Sequence, residues 1–231
     1  MFTIRIAGHE FCIENQYDFV ENLCKNYIVP NCNAKKILVT DSEIQREKDS
    51  NLDFSRGYLE SLAVYRKVCE QLIDENILLF HGSVIAVDGQ AYLFTATSGT
   101  GKSTHTRLWR EYFGNRAVMV NDDKPLLKIS DKCVIVYGTP WDGKHHLSSN
   151  ISVPLKAICI LERAENNRIE QIEKNTAYPM LLQQSYRPYN PQKMMTTLRM
   201  LDELITKIDL YKLGCNMNIE AAKIAFDMMK G

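Results

Sequence analysis

Apolar and polar residues alternate over Phe2-Thr3-Ile4-Arg5-Ile6, the period of a half-buried strand, and residues 9–13 repeat the pattern beyond a turn at Ala7-Gly8. The same reading predicts a helix near residues 17–26, a strand at 37–40, and a polar, loop-like connection over 41–54. From residue 58 to 76 the period lengthens. Leu59, Leu62, Tyr65, Cys69 and Leu72 fall on one helical face, which Val68 and Ile73 widen, so this stripe is core packing. Residues 77–87 are then almost continuously apolar, broken by Gly82, and end at Asp88-Gly89. A two-residue Asp-Gly turn joins only antiparallel strands, so Gln90–Thr95 folds back on Ser83–Val87.

Short apolar runs at 117–120, 125–129, 133–137, 157–161 and 211–213 predict further strands, and 138–146 is a turn-rich loop between two of them. Helical patterns cover 178–184, 191–208 and 218–229. The expected organisation is a small α+β N-terminal subdomain with a linking helix (1–76) and an α/β domain with a mixed central sheet (77–231). Neither internal repeats nor low-complexity tracts occur.

Chemistry concentrates at residues 96–104, Ala-Thr-Ser-Gly-Thr-Gly-Lys-Ser-Thr, directly after the strand-like run Ala91-Tyr92-Leu93-Phe94. This is the pattern of a phosphate-binding loop, with Ala96 where the first glycine is usual. Small residues at Thr97, Ser98, Gly99, Thr100 and Gly101 let backbone N–H groups converge on one anion. Lys102 reaches the β- and γ-phosphates, Ser103 offers its hydroxyl to Mg²⁺, and the helix from Thr104 onward turns its positive end to the phosphates. Residues 117–120 then lead into Asn121-Asp122-Asp123, a strand delivering carboxylates some 20 residues after the lysine, as a Walker B strand does. One carboxylate suits the metal and the other the acceptor. Their adjacency favours a modest upward pKa shift for the one acting as base.

Composition narrows the classes. Lysines plus arginines number 28 and acidic residues 28, with no basic block, so nothing points to nucleic acid. The seven cysteines (Cys12, Cys24, Cys32, Cys69, Cys133, Cys159 and Cys215) include no Cys-x-x-Cys pair, which argues against a zinc site or a disulfide framework. No apolar run is long enough to span a membrane and no signal pattern opens the chain, so a cytoplasmic protein is expected.

Ser98-Gly99-Thr100-Gly101-Lys102-Ser103-Thr104 resembles the nucleotide loop of phosphoenolpyruvate carboxykinases. His81-Gly82 before an Asp-Gly hairpin, followed by that loop and Asn121-Asp122-Asp123, resembles the catalytic half of HPr kinase/phosphorylase, over about residues 77–215. The resemblance implies a kinase-like core using ATP and Mg²⁺. It gives Lys102 to the phosphates, Ser103 and Asp122 to the metal, Asp123 as general base with His81 beside it, and Arg187 as an active-site arginine. The glycine-rich signature carrying a second metal-binding glutamate in HPr kinase is replaced by Gly138-Thr139-Pro140-Trp141-Asp142, where Asp142 is the carboxylate that could serve. That leaves the hydroxyl acceptor open between a protein or peptide serine and a small molecule. An oligomer is possible.

Other readings stand beside this one. A carboxykinase-like reaction would draw on His81 and Lys144-His145, and a nucleotide-binding switch would dispense with transfer chemistry, though it needs no second carboxylate. Trp141 could stack on a base or plug a loop. His145-His146 reads as a loop that could face substrate, His9 and His105 as surface or helix positions, and Glu162-Arg163 as a solvated strand end.

Overall fold

The computed structural model describes residues 1–30, 34–48, 53–143 and 145–231, so Cys32 and Lys144 lie outside the described residues. Two compact units make up the chain, Met1–Glu75 and Asn76–Gly231.

The first unit is built on a three-stranded sheet in the order β1-β2-β3. β1 (Phe2–Ile6) and β2 (His9–Glu14) pair antiparallel, Phe2 opposite Ile13 and Ile6 opposite His9, while β3 (Lys35–Leu38) runs parallel to β2. The helix expected over 17–26 is α1 (Asp18–Leu23) followed by a 3-10 turn, Lys25–Tyr27. The polar stretch after Thr40 is not all loop. α2 (Asp41–Arg46) begins there in a capping box: Glu43 N–H donates to Thr40 Oγ1 at 3.4 Å, and Thr40 N–H donates to Glu43 Oε2 at 2.8 Å. The Thr-x-x-Glu signal is present in the sequence but masked by the surrounding charge. It also ends β3 before Thr40, because a cap residue cannot continue a ladder. Residues 49–52 of that expected loop lie outside the described residues.

α3 (Arg56–Leu72) starts at its Ser55 cap and buries Leu59, Tyr65, Val68, Cys69 and Leu72 of the predicted stripe, while Leu62 is only partly buried. It also buries Glu60, whose carboxylate accepts from the N–H of Gln16 at 2.5 Å and of Tyr17 at 3.0 Å. Those amides open α1 and have no helical partner of their own, so Glu60 ties α1 to α3.

The second unit holds a nine-stranded mixed sheet. Its strands are β4 (Ile77–Leu79), β5 (Ser83–Val87), β6 (Gln90–Thr95), β7 (Ala117–Asn121), β8 (Leu126–Ile129), β9 (Val134–Tyr137), β10 (Ser152–Arg163), β11 (Arg168–Gln171) and β12 (Asp209–Cys215). Seven follow the order β4-β8-β9-β10-β6-β5-β7, and β12 pairs with both β10 and β11. β10 is parallel to β6 and to β12, whereas β5 is antiparallel to both β6 and β7. The turn between β5 and β6 has φ 52° at Asp88 and 79° at Gly89, the left-handed pair that a two-residue hairpin requires.

In this unit β10, β11 and α5 depart most from expectation, and β12 extends two residues beyond each end of its expected run. β10 has 12 residues rather than the apolar centre alone, because Pro154 is absorbed where the strand leaves β6 and pairs with β9. β11, Arg-Ile-Glu-Gln, is an edge strand exposed enough to carry three polar residues, so no apolar run marks it. Of the helices α4 (Lys102–Phe113), α5 (Lys174–Gln184), α6 (Pro191–Lys207) and α7 (Glu220–Met229), α5 begins a turn before expected and carries Pro179 inside it.

The core under α4 is aromatic. Trp109 is fully buried, with ring centroids 5.0 Å from Tyr92, 5.2 Å from Phe94, 5.4 Å from Phe113 and 5.8 Å from Phe226. Burying about 200 Å² of indole contributes roughly 5 kcal/mol, enough to fix α4 on the sheet. Among the described residues, no helix is long and apolar enough to cross a membrane.

Gly138 marks the closest backbone approach. A Cβ there would overlap Ser149 O and lie 2.6 Å from Val120 O, both main-chain atoms that cannot swing aside. Gly138→Ala is therefore expected to lower the stability of the second unit by roughly 3 kcal/mol or more. Both tryptophans, Trp109 and Trp141, lie in that unit, so urea unfolding followed by tryptophan fluorescence reads it directly. An unchanged midpoint would contradict this packing.

Candidate active site

Three segments meet at one edge of the large sheet. After Thr95 the chain passes through Ala96–Gly101 before α4 begins at Lys102. Gly99 (φ 78°) and Gly101 (φ 125°, the N-cap of α4) take conformations that a side chain resists. Ala96 is fully buried. Thr97 Oγ1 and Thr100 Oγ1 lie 2.9 Å apart. Arg163, at the exposed end of β10, is more than a solvated charge: its guanidinium donates to Gly99 O at 2.6 Å and Thr100 O at 3.3 Å.

β5 opposes both β6 and β7, so the latter two run the same way, and β7 delivers Asn121, Asp122 and Asp123 to the same edge. Asn121 organises the turn. Its Oδ1 accepts from the N–H of Asp123 at 2.8 Å and of Lys124 at 2.6 Å, while its Nδ2 donates to Thr139 O and Oγ1, each at 3.0 Å. Asp122 is buried and accepts from Ser83 Oγ at 2.8 Å; that hydroxyl lies 3.1 Å from Thr106 Oγ1 on α4.

Asp123 faces His81 Nε2 at 3.2 Å and Lys124 Nζ at 2.9 Å. Burial pushes its carboxyl up, but the bond from His81 and the charge of Lys124 outweigh this and hold it down at about 2. The adjacent-carboxylate reading predicts a rise; the structure shows the opposite because each aspartate has its own partners. His81 is fixed on several sides. Its Nδ1 pairs with Gln184 Oε1 at 2.6 Å, its N–H donates to Gln184 O at 2.7 Å, and its carbonyl accepts from Thr95 Oγ1 at 3.1 Å. Gly82 N–H donates to Asp123 O at 3.0 Å.

These groups border a cavity of about 930 Å³, whose wall includes His81, Ser98, Lys102, Ser103, Asp122 and Asp123. Thr104 borders it too. Lys102 Nζ donates to Ala96 O at 3.3 Å; burial lowers its pKa, against the opposing pull of Asp123 and Asp122. Arg107 and Arg110 of α4 also line the cavity, and Arg110 Nε is buried with no hydrogen-bond partner among the described residues. Neither arginine carries a motif; only their spacing along the helix from Lys102 marks them. Two other expected residues lie elsewhere. Arg187 is exposed and is not part of the cavity wall. Asp142 is also outside that wall, its carboxylate accepting from Ser148 Oγ at 2.8 Å and meeting His146 Nδ1 at 3.1 Å. His145 does border the cavity.

Trp141 is the plug of its loop, 3% exposed, and not a stacking surface. His105 is not a surface residue. It is buried, Trp109 Nε1–H donates to its Nε2 at 3.0 Å, and burial lowers its pKa to about 3. Among the described residues no three His, Cys, Asp or Glu side chains group as a metal site. Of the groups that border the cavity, the oxygens of Ser103, Asp122 and Asp123 are of the kind that suits a hard cation, which would complete its shell with phosphate and water.

The Asp123 pairing generates a pH prediction. Its folded pKa lies below the ordinary 3.8, so the pairing stabilises fully above about pH 4 and is lost as pH falls toward 2. The effect is on the order of 2 kcal/mol. In a carboxyl-carbon NMR titration, Asp123 should have its midpoint near 2, and His81→Ala should move it up toward 3.8. A midpoint that ignores the substitution would remove His81 from the electrostatics of the site.

Among solved structures 46 chains match this one. One is the Hpr(Ser) kinase/phosphatase from Coxiella burnetii, 13% identical over 66% of this chain and 99% of that one, with a TM-score of 0.36. A superposition that loose adds nothing to the reading of the site. No curated protein sequence matches. Residues 43–218, a span that takes in the 96–104 loop and the 121–123 turn, match the family described as SynChlorMet cassette protein ScmC, and the chain belongs to that family.

Proposed function

We propose that this protein is an ATP- and Mg²⁺-dependent kinase that transfers a phosphoryl group to a hydroxyl, on a protein or peptide serine or on a small molecule. One observation carries the reading: the glycine-bearing 96–101 loop, Lys102, Ser103 and both carboxylates of the 121–123 turn border a single cavity. Phosphoryl transfer asks the protein for alignment and charge neutralisation more than for covalent chemistry. The loop and Lys102 hold the β- and γ-phosphates. Ser103 and Asp122 would hold Mg²⁺, which when bound would supply charge neutralisation at the phosphates. Arg110 adds positive charge to the same cavity wall, and Arg107 borders it while paired with Glu111 at 2.5 Å.

Asp123 orients the acceptor hydroxyl and takes its proton. A carboxylate held at about 2 is a weak base. In a loose transition state the proton leaves late, so orientation matters more than basicity. His81 holds Asp123 in place and keeps it ionised.

Two predictions follow from these roles. Lys102→Ala should weaken ATP binding by roughly tenfold or more without unfolding the protein, because it removes a charge-assisted contact and no core contact. Unchanged affinity in a calorimetric titration would sink the phosphate-loop reading. Asp123→Asn should retain Mg²⁺–ATP binding yet lower transfer by about 10²–10⁴-fold, whereas Asp122→Asn should weaken the Mg²⁺-dependent part of binding. Labelled ATP presented with candidate serine peptides and small hydroxyl compounds measures the first effect. Turnover of ATP that never requires an acceptor would favour a nucleotide switch instead.

A further inference from the structure

A second cavity of about 510 Å³ lies against the same loop. Gly99, Gly101 and Thr104 border both cavities, and the second is closed by His105 and Leu108 of α4, Arg163 at the end of β10, and Met217 after β12. Among the described residues no carboxylate borders it, and its wall is largely apolar, whereas Lys102, Asp122 and Asp123 border the first. It is of a size to enclose a heterocycle.

His105 gives this wall its chemistry. An indole N–H can only donate, so the Trp109 bond fixes His105 Nε2 as an acceptor without a proton. The imidazole proton then sits on Nδ1. That N–H is buried and has no partner among the described residues. A buried donor left unpaired is costly, and His105 is one of the residues that border this cavity.

We propose that this second cavity holds the base of the nucleotide, with His105 Nδ1–H donating to a ring nitrogen or carbonyl and the Arg163 guanidinium beside the ring. The inference rests on the reading that the loop binds nucleotide phosphates. It adds the direction in which the nucleotide lies: reacting phosphate toward Asp122 and Asp123, base toward β10 and β12. Arg163 already touches the loop carbonyls, so one guanidinium borders both the phosphate loop and the base.

The test compares tripolyphosphate, ATP and GTP in calorimetric titrations of the full chain. At least one nucleotide is expected to bind tighter than tripolyphosphate. His105→Gln keeps an acceptor for Trp109 but drops the Nδ1 donor. It should weaken that nucleotide about tenfold and leave tripolyphosphate unchanged. In the wild-type protein, the His105 Nδ1–H resonance should move on adding the nucleotide and stay put on adding tripolyphosphate, a readout that needs no variant to fold. If tripolyphosphate binds and neither nucleotide binds tighter, the loop reading stands and the base pocket is wrong. A resonance that responds to both ligands alike, or to neither, also overturns the assignment. If nothing binds, the loop reading itself fails and the inference falls with it.

Discussion

One reversed strand holds the candidate site together. β5 lies between β6 and β7 and runs against both. The start of β5 therefore sits beside the ends of its two neighbours. His81, just before β5, meets Thr95 at the end of β6 and Asp123 in the acidic turn that follows β7. A parallel β5 would need a crossover of about a dozen residues and would carry residue 81 to the opposite edge. The reversal is imposed locally, by two turn residues with positive φ at Asp88-Gly89. Arg116, just before β7, donates to Asp88 Oδ1 at 3.0 Å, so the turn is also tied to the strand that brings the carboxylates.

Placing two adjacent aspartates and a lysine at that edge invites repulsion and desolvation. The structure answers by giving each charge separate company. Asp122 bonds through Ser83 toward α4, whereas Asp123 bonds to His81 and Lys124 on the opposite side. The turn after β7 makes this possible: Asn121 Oδ1 holds the N–H groups of Asp123 and Lys124, and the two carboxylates leave it toward different partners. Lys102 is the member without a close carboxylate of its own. Its nearest partner is the loop carbonyl of Ala96, and burial lowers its pKa. A negative charge held close to Lys102 would raise that pKa again.

The hairpin, the strand–loop–helix segment and the strand into Asn121 are legible because each rests on a local rule: turn type, glycine content, apolar run. Other features were hidden for physical reasons. α2 is signalled only by Thr40 and Glu43 amid charge, and β11 is an edge strand with a single apolar residue. Asn121 reads as turn chemistry, and its role in joining the acidic turn to the 139–141 loop appears only once Thr139 is folded against it. Arg107 and Arg110 reach the cavity because α4 starts at Lys102, a matter of helix phase that no motif encodes. Only the resemblance points to Arg187 and Asp142, and nothing in their local pattern fixes which way the chain turns them.

The contact of Arg163 with the loop shows how an exposed charge can shape a backbone. Its guanidinium binds the carbonyls of Gly99 and Thr100. In a trans peptide the carbonyl and the following N–H point in opposite directions. Holding Thr100 O toward β10 therefore turns Gly101 N–H away from it. The Thr100 N–H is already engaged with Thr97 O at 3.3 Å, so it is not available to a ligand in this arrangement. The loop thus presents its amides selectively, and the selection is made from outside by a side chain that also borders the second cavity. A change at residue 163 would reach the first cavity through the peptide planes of the loop rather than through direct contact.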